Sequence, residues 1–191
     1  KGEVADIVEH FELSKPTNNF LVWFQLNKEY ESYTLYLDNE VLVSNTTQDT
    51  DVNTLIPTNL KLQYNLGAKM PDITKEFKLV VKFKESGKEQ TVYADKSTLY
   101  KSSAFAEAYT YTGELGAIYQ ADKTTFRVWS PVSSQIKVRV YETGTPESAN
   151  IGGKKVNFAG GSNQYVEFAM NRIENGAWEY VYNGNHEGKY Y

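Results

Sequence analysis

Few residues of this chain have the types and spacing that chemistry needs. The two histidines, His10 and His186, stand near opposite ends of the sequence among polar residues, and cysteine is absent. A nucleophilic triad requires an imidazole beside a serine or a thiol. This pattern offers none, so both histidines read as solvated loop or edge residues. There is no HExxH, no cysteine pair and no Asp-x-Asp-x-Asp loop to hold a metal, and no metal or cofactor is expected. Gly152-Gly153-Lys154-Lys155 lacks the spacing of a phosphate loop and the helix that would follow it, and reads as a turn. Asp38, Glu40, Asp49 and Asp51 fall in turns and loops, and nothing assigns a pair of them to acid/base work. No catalytic residue is expected.

The aromatic side chains say more. Trp23 lies on the strand face opposite Phe20, Val22 and Phe24. If that face is solvated, Trp23 is a platform for the apolar C–H face of a sugar ring. The other reading, which burial statistics favour, packs it beneath a second sheet or a neighbouring domain. Trp178, Tyr180 and Tyr182 share one face of their strand. Three aromatics in register make either a binding surface or, more commonly, a core face with hydroxyls at its rim. The sugar-binding candidates are thus Trp23, Trp178 and Tyr180. Trp129 reads as a lid on the core or an interdomain contact.

The elements that must position these residues are strands. Residues 20–26 alternate Phe20, Val22, Phe24 and Leu26 against Leu21, Trp23 and Gln25, the period of a half-buried strand. Residues 33–37 and 41–44 read as a hairpin around Asp38-Asn39-Glu40, and 77–84 with 90–94 as another around Ser86-Gly87. Residues 60–66 give a further strand, and residues 1–10 a weak edge strand or a frayed end. The polar stretch 45–53 reads as a loop containing the sequon Asn45-Thr46-Thr47. No helix is expected in the first hundred residues. The stretch 101–109, with at most a helical turn, marks a domain boundary. Beyond it, strands are expected at 117–120, 124–129 (closed by Pro131, which cannot donate to a ladder), 136–141, 154–158, 165–170 and 177–182. Phe126 and Val128 are expected to share one strand face, with Arg127 and Trp129 on the other, residues 142–153 to form a loop, and 189–191 to begin a further strand. The fold class is all-β: two consecutive immunoglobulin-like antiparallel β-sandwich domains, residues 1–105 and 106–191.

Composition sets outer limits. A chain of 191 residues with 40% hydrophobic and 23% charged residues can bury a core. Its net charge of −4 and the absence of a Lys/Arg cluster on any strand face exclude a phosphate-backbone partner. No run reaches the ~18 apolar residues of a spanning helix, and no membrane partner is expected. The absence of cysteine leaves secretion and cytosol equally open. The sequence begins at Lys1 and stops within a strand pattern, so it is expected to be a piece of a longer chain.

Two blocks in the second half carry a family resemblance. Residues 111–119 (YTGELGAIY) followed by 124–131 (TTFRVWSP) resemble the opening of the family-48 carbohydrate-binding module of type I pullulanases, debranching enzymes of glycoside hydrolase family 13. Residues 168–188 (FAMNRIENGAWEYVYNGNHEG) and the closing Lys189-Tyr190-Tyr191 are similar to that module's last hairpin. Met170, Arg172, Gly176, Trp178, Gly184, Gly188 and both tyrosines match, while Asn185-His186-Glu187 replaces the family's Asp-Leu-His. Residues 1–105 would fill the place of the additional β-sandwich that often precedes this module.

The resemblance implies a parent enzyme that hydrolyses α-1,6 branch links in pullulan, amylopectin or glycogen by a retaining two-carboxylate mechanism. Its carboxylates would lie on a downstream barrel for which this chain has no room, so the chain alone is expected to be inactive. The implied partners are that barrel and α-glucan (pullulan, starch, glycogen). The loop 142–153 lacks the tryptophan with which some modules of the family hold sugar, and no binding residue is carried over. A stand-alone glucan-binding protein and a structural spacer of a cell-surface protein are the competing readings.

Overall fold

The computed structural model describes residues 5–45, 54–55 and 60–191. The chain divides into two compact units, Lys1–Ala108 and Tyr109–Tyr191. Thr46 and Thr47 of the sequon, and the rest of its loop to residue 53, lie outside the described residues.

The first unit is built from β1 (Val8–Ser14), β2 (Phe20–Leu26), β3 (Tyr30–Leu37), β4 (Glu40–Asn45), β5 (Thr54–Leu55), β6 (Lys61–Gly67), β7 (Phe77–Phe83) and β8 (Glu89–Tyr93). They form two antiparallel four-stranded sheets, ordered β1-β2-β6-β5 and β4-β3-β7-β8. Alternation fixes which face is dry. Phe20, Val22, Phe24 and Leu26 of β2 are buried, as are Phe77, Leu79, Val81 and Phe83 of β7, and a one-residue slip would turn either set to water. The rings of Phe24 and Tyr33 meet edge to face at 5.2 Å and join the two layers. Asp38 takes the left-handed conformation (φ +54°) in the two-residue turn between β3 and β4. Its carboxylate accepts the Glu76 N–H at 2.8 Å, a long-range bond that ties this turn to the segment entering β7.

Three features depart from expectation. The first strand starts only at Val8 and runs on to Ser14, burying Phe11 and Leu13; its polar alternates His10 and Glu12 hide it in the sequence. Two short helices, α1 (Ser97–Tyr100) and α2 (Ser103–Tyr109), close the unit where none or a single turn was expected. They form because the ends are pinned. Asp95 accepts the Ser97 N–H at 2.8 Å, Leu99 of α1 is fully buried, and Ser102 Oγ accepts the Phe105 N–H at 3.2 Å. Beside them Lys96 is only 7% exposed. Its ammonium donates to the Lys75 carbonyl (2.8 Å) and the Glu76 carboxylate (2.9 Å), which offsets the cost of burying a charge.

The carboxylate of Asp6 faces the ammonium of Lys28 at 2.9 Å and accepts from the Ser86 hydroxyl. These bonds, Lys28 first, hold its pKa below the usual carboxylate value, and two bonds from Ser97 do the same for Asp95. A carboxylate with a lowered folded-state pKa contributes stability that is complete above its unfolded pKa and is lost as pH falls through the folded value. The thermal midpoint is therefore expected to be level from pH 7 to about 5 and to drop below about 4, with Asp6→Asn flattening part of the drop. A midpoint indifferent to acid down to about pH 3 would refute this.

The second unit comprises β9 (Gly116–Gln120), β10 (Lys123–Trp129), β11 (Lys137–Tyr141), β12 (Ser148–Ile151), β13 (Lys154–Asn157), β14 (Tyr165–Ala169), β15 (Asn171–Arg172) and β16 (Ala177–Asn183). A 3-10 turn at Glu174–Gly176 separates the last two. One sheet is ordered β15-β16-β10-β9, and β11-β14 is a separate antiparallel pair. Phe126 and Trp178 from the first sheet and Val138 and Val140 from the pair meet in one core, with Met170 alongside. Val128 does not join them. Although it continues the alternation of Phe126, it is 37% exposed near the end of its strand. The expected loop at 142–153 contains β12, which pairs with β13 through a turn at Gly152 and Gly153, both at positive φ (+57° and +80°). Such a two-residue turn needs that conformation twice. Its strands are exposed on nearly every residue, so no hydrophobic alternation announces them.

Candidate functional site

Trp23 stands on the outer face of the β1-β2-β6 sheet, opposite Glu12 on one side and Gln63 on the other. Its indole N–H donates to Glu12 Oε1 at 2.8 Å. The His10 ring stacks on it with centroids 4.1 Å apart and planes 21° from parallel. The second Glu12 oxygen lies 3.2 Å from His10 Nε2 and accepts from Thr98 Oγ1 at 3.3 Å. The Lys61 ammonium sits 5.8 Å from the ring centroid, and Gln25 on the same face donates to Glu9 at 2.8 Å. Trp23 is neither free nor buried under another layer. Its indole is fixed by a carboxylate and partly covered by an imidazole. A pre-fixed aromatic ring bordered by carboxylate, amide and ammonium groups has the parts that a hydroxylated ring would use. His10 is therefore part of an ordered cluster rather than a merely solvated edge residue.

Trp178 is corrected by the structure. It is 6% exposed, inside the core of the second unit, and offers no face to a ligand. The cause is register: it pairs with Val128 on β10, and its neighbours Tyr180 and Tyr182 pair with Phe126 and Thr124. Tyr180 is half-buried with its ring stacked on Phe168 (4.4 Å, 12°), so one of its faces is covered as well. Tyr182 contacts Phe168 at 4.7 Å and stacks on His186 at 3.6 Å. His186, expected to be a solvated loop residue, is thus half-buried, and its Nε2 lies 2.8 Å from the Asn183 carbonyl.

Beside this stack opens a cavity of about 270 Å³ lined by Glu142, Gln164, Tyr165, Tyr182, His186 and Lys189 together with Val140 and Val166. Glu142 and Lys189 form an ion pair across it. The sequence did not point to this cavity, because its polar residues come from three separated stretches. The aromatic excess was the one available signal. On the adjoining sheet face Glu167 accepts from Lys137 (2.6 Å) and Arg139 (2.9 Å), which together hold its carboxyl below the usual range. Among the described residues no group of three or more His, Asp or Glu side chains is arranged for a metal.

Three of the motif residues, Arg172, Gly176 and Trp178, gather at the Ser130-Pro131 turn. The Trp178 indole N–H donates to the Ser130 carbonyl at 3.0 Å. Arg172 donates to the carbonyls of Pro131 (2.8 Å) and Ser133 (3.0 Å), and its guanidinium lies 5.5 Å from the Trp178 ring centroid. The Gly176 carbonyl accepts the Ser130 N–H at 3.0 Å. The Trp129 indole N–H is shared between the carbonyls of Tyr109 (2.8 Å) and Asn175 (3.1 Å). These residues latch the Ser130-Pro131 turn to the last hairpin.

No family model matches the chain. Over 40 residues, 21% of its length, it is 42% identical to the pullulanase of Bacillus subtilis (strain 168), a stretch covering 6% of that protein. Two crystal structures of a pullulanase from Anoxybacillus sp., one complexed with maltotriose, share its fold. They overlay on 95% and 94% of this chain with TM-scores of 0.54 and 0.53, each at 19% identity. The chain resembles the N-terminal region of type I pullulanases. It spans 23% of those two pullulanase chains, and what the overlay shows is a β-rich architecture of several antiparallel sheets.

Proposed function

We propose that this chain is the non-catalytic N-terminal part of a pullulanase-type enzyme that hydrolyses α-1,6-glucosidic branch links in pullulan, amylopectin or glycogen. In this reading its two units are immunoglobulin-like β-sandwiches, the second of them a family-48 carbohydrate-binding-like module. They pack against the catalytic barrel of the longer chain and assist its hold on α-glucan. The observation that carries the proposal is the overlay with a pullulanase along nearly the whole chain, together with the motif blocks at 111–131 and 168–191. The carboxylates of the retaining reaction would lie in the part of such an enzyme outside this quarter of its length.

Trp23 is the residue on which glucan contact is proposed to rest, since Trp178 is committed to the core. In affinity electrophoresis, pullulan in the gel is expected to retard the chain. Trp23→Ala is expected to weaken that retention about tenfold, the scale of one lost aromatic stack, with an unchanged far-ultraviolet spectrum. Retention that survives the substitution would move the contact to the Tyr165–Tyr182 cavity. No retention at all would leave the units a scaffold for the barrel and end the role of Trp23.

A further inference from the structure

Trp23 stands on β2 between β1 and β6, and its two neighbours reach it from opposite strands, His10 from β1 and Lys61 from β6. The imidazole occupies the layer that a sugar ring would need on its side of the indole, with centroids 4.1 Å apart and the planes 21° from parallel. Two rings cannot share that layer. A glucan that stacks there must displace His10.

The hold on the imidazole depends on charge. One oxygen of Glu12 accepts the indole N–H at 2.8 Å, and the other lies 3.2 Å from His10 Nε2. That nitrogen is buried, yet it makes no well-directed hydrogen bond. In a neutral ring an enclosed nitrogen without such a bond is a cost. In a protonated ring the same position faces a carboxylate at contact distance. It also lies on the aromatic side chain that attracts cations most strongly. The other charged groups around the cluster come from three places. Glu9 accepts from Gln25, Asp95 is bridged to Glu12 at the edge of β1, and Lys61 stands on the β6 side of the indole. Carboxyl and ammonium groups ordinarily keep their charge between about pH 6 and 8, so the imidazole is the group that changes there.

We infer that His10 and Glu12 form a proton-operated cover on Trp23, closed while the imidazole is charged and opened as rising pH removes its proton. The cover acts on the glucan contact proposed for Trp23 and rests on that reading for its ligand.

The test uses the 15N-labelled 191-residue chain, with the Trp23 indole N–H resonance identified by Trp23→Phe and maltotriose as the probe. Between about pH 8 and 6 that resonance should follow a single protonation. Maltotriose should bind about fivefold more weakly at the lower value, the scale of one charge-assisted contact broken on opening. In His10→Thr, with the other amide resonances in place, the indole signal should stay level. Maltotriose should then bind equally at both values, as tightly as it binds the unsubstituted chain at the higher one. An indole signal indifferent to pH, an affinity equal at both values in the unsubstituted chain, or a pH dependence that persists in His10→Thr would each overturn the inference. A titrating indole with no maltotriose bound at either value would end the glucan reading of Trp23 alone and support the cover, which the resonance reports without a ligand.

Discussion

Trp178→Ala is expected to cost the second unit about 3–5 kcal/mol, the range for deleting a large aromatic from a packed core. For a unit of this size that corresponds to a fall in melting temperature of roughly 15–30 °C, enough to leave it largely unfolded at ambient temperature if its stability is ordinary. The size follows from what the ring does. It fills the space between the sheet and the β11-β14 pair, and its N–H satisfies the Ser130 carbonyl. Truncation leaves both a cavity and an unpaired acceptor. Trp178→Phe keeps most of the volume and loses only the bond, so its cost is expected near 1–2 kcal/mol. Near-ultraviolet circular dichroism during thermal melting checks both. A loss below about 1 kcal/mol for Trp178→Ala would mean that the indole is not structural and would restore it as a ligand platform.

The second large effect is at Gly176. Its φ of +76° lies where a side chain is strained, and a Cβ there would meet the Cβ of Pro131 at 2.5 Å and its Cα at 2.7 Å. Gly176→Ala therefore combines about 1 kcal/mol of backbone strain with about 1–3 kcal/mol of overpacking. Gly188 makes the control: its φ is +77°, yet a Cβ there would have no neighbour within 4 Å. Gly188→Ala should cost only the backbone share. Urea unfolding of the two variants separates the contributions, and equal midpoints would show that the Pro131 turn yields to the new methyl group.

These two residues also explain what the sequence could and could not tell. The strands of the first unit were legible because β2 and β7 alternate large apolar and polar residues without interruption. The motif at Met170, Arg172, Gly176 and Trp178 was legible as a resemblance; its physical content is a latch of Arg172, Gly176 and Trp178 on the Ser130-Pro131 turn, with Met170 in the core. What stayed hidden was held by partners distant in sequence. Lys96 reads as a surface lysine until the carbonyl of Lys75 and the carboxylate of Glu76 are brought to it. His10 and His186 read as solvated until Trp23 and Tyr182 stack beneath them. The β12-β13 hairpin escaped because neither strand has a buried face to imprint a pattern.

That last feature bears on how the molecule can change. The hairpin is held at its base, where the Phe158 N–H donates to the Glu147 carbonyl at 2.9 Å and the Ser162 N–H to the Thr145 carbonyl at 2.9 Å. Nothing in its exposed strands is needed to fill the core of the unit. Loop closure grows only slowly with length, so polypeptide added between Gly152 and Gly153 would draw little from the fold. Mutation can lengthen, shorten or decorate the chain here at small thermodynamic risk, and a reporter domain spliced into this tip would ride on an intact unit.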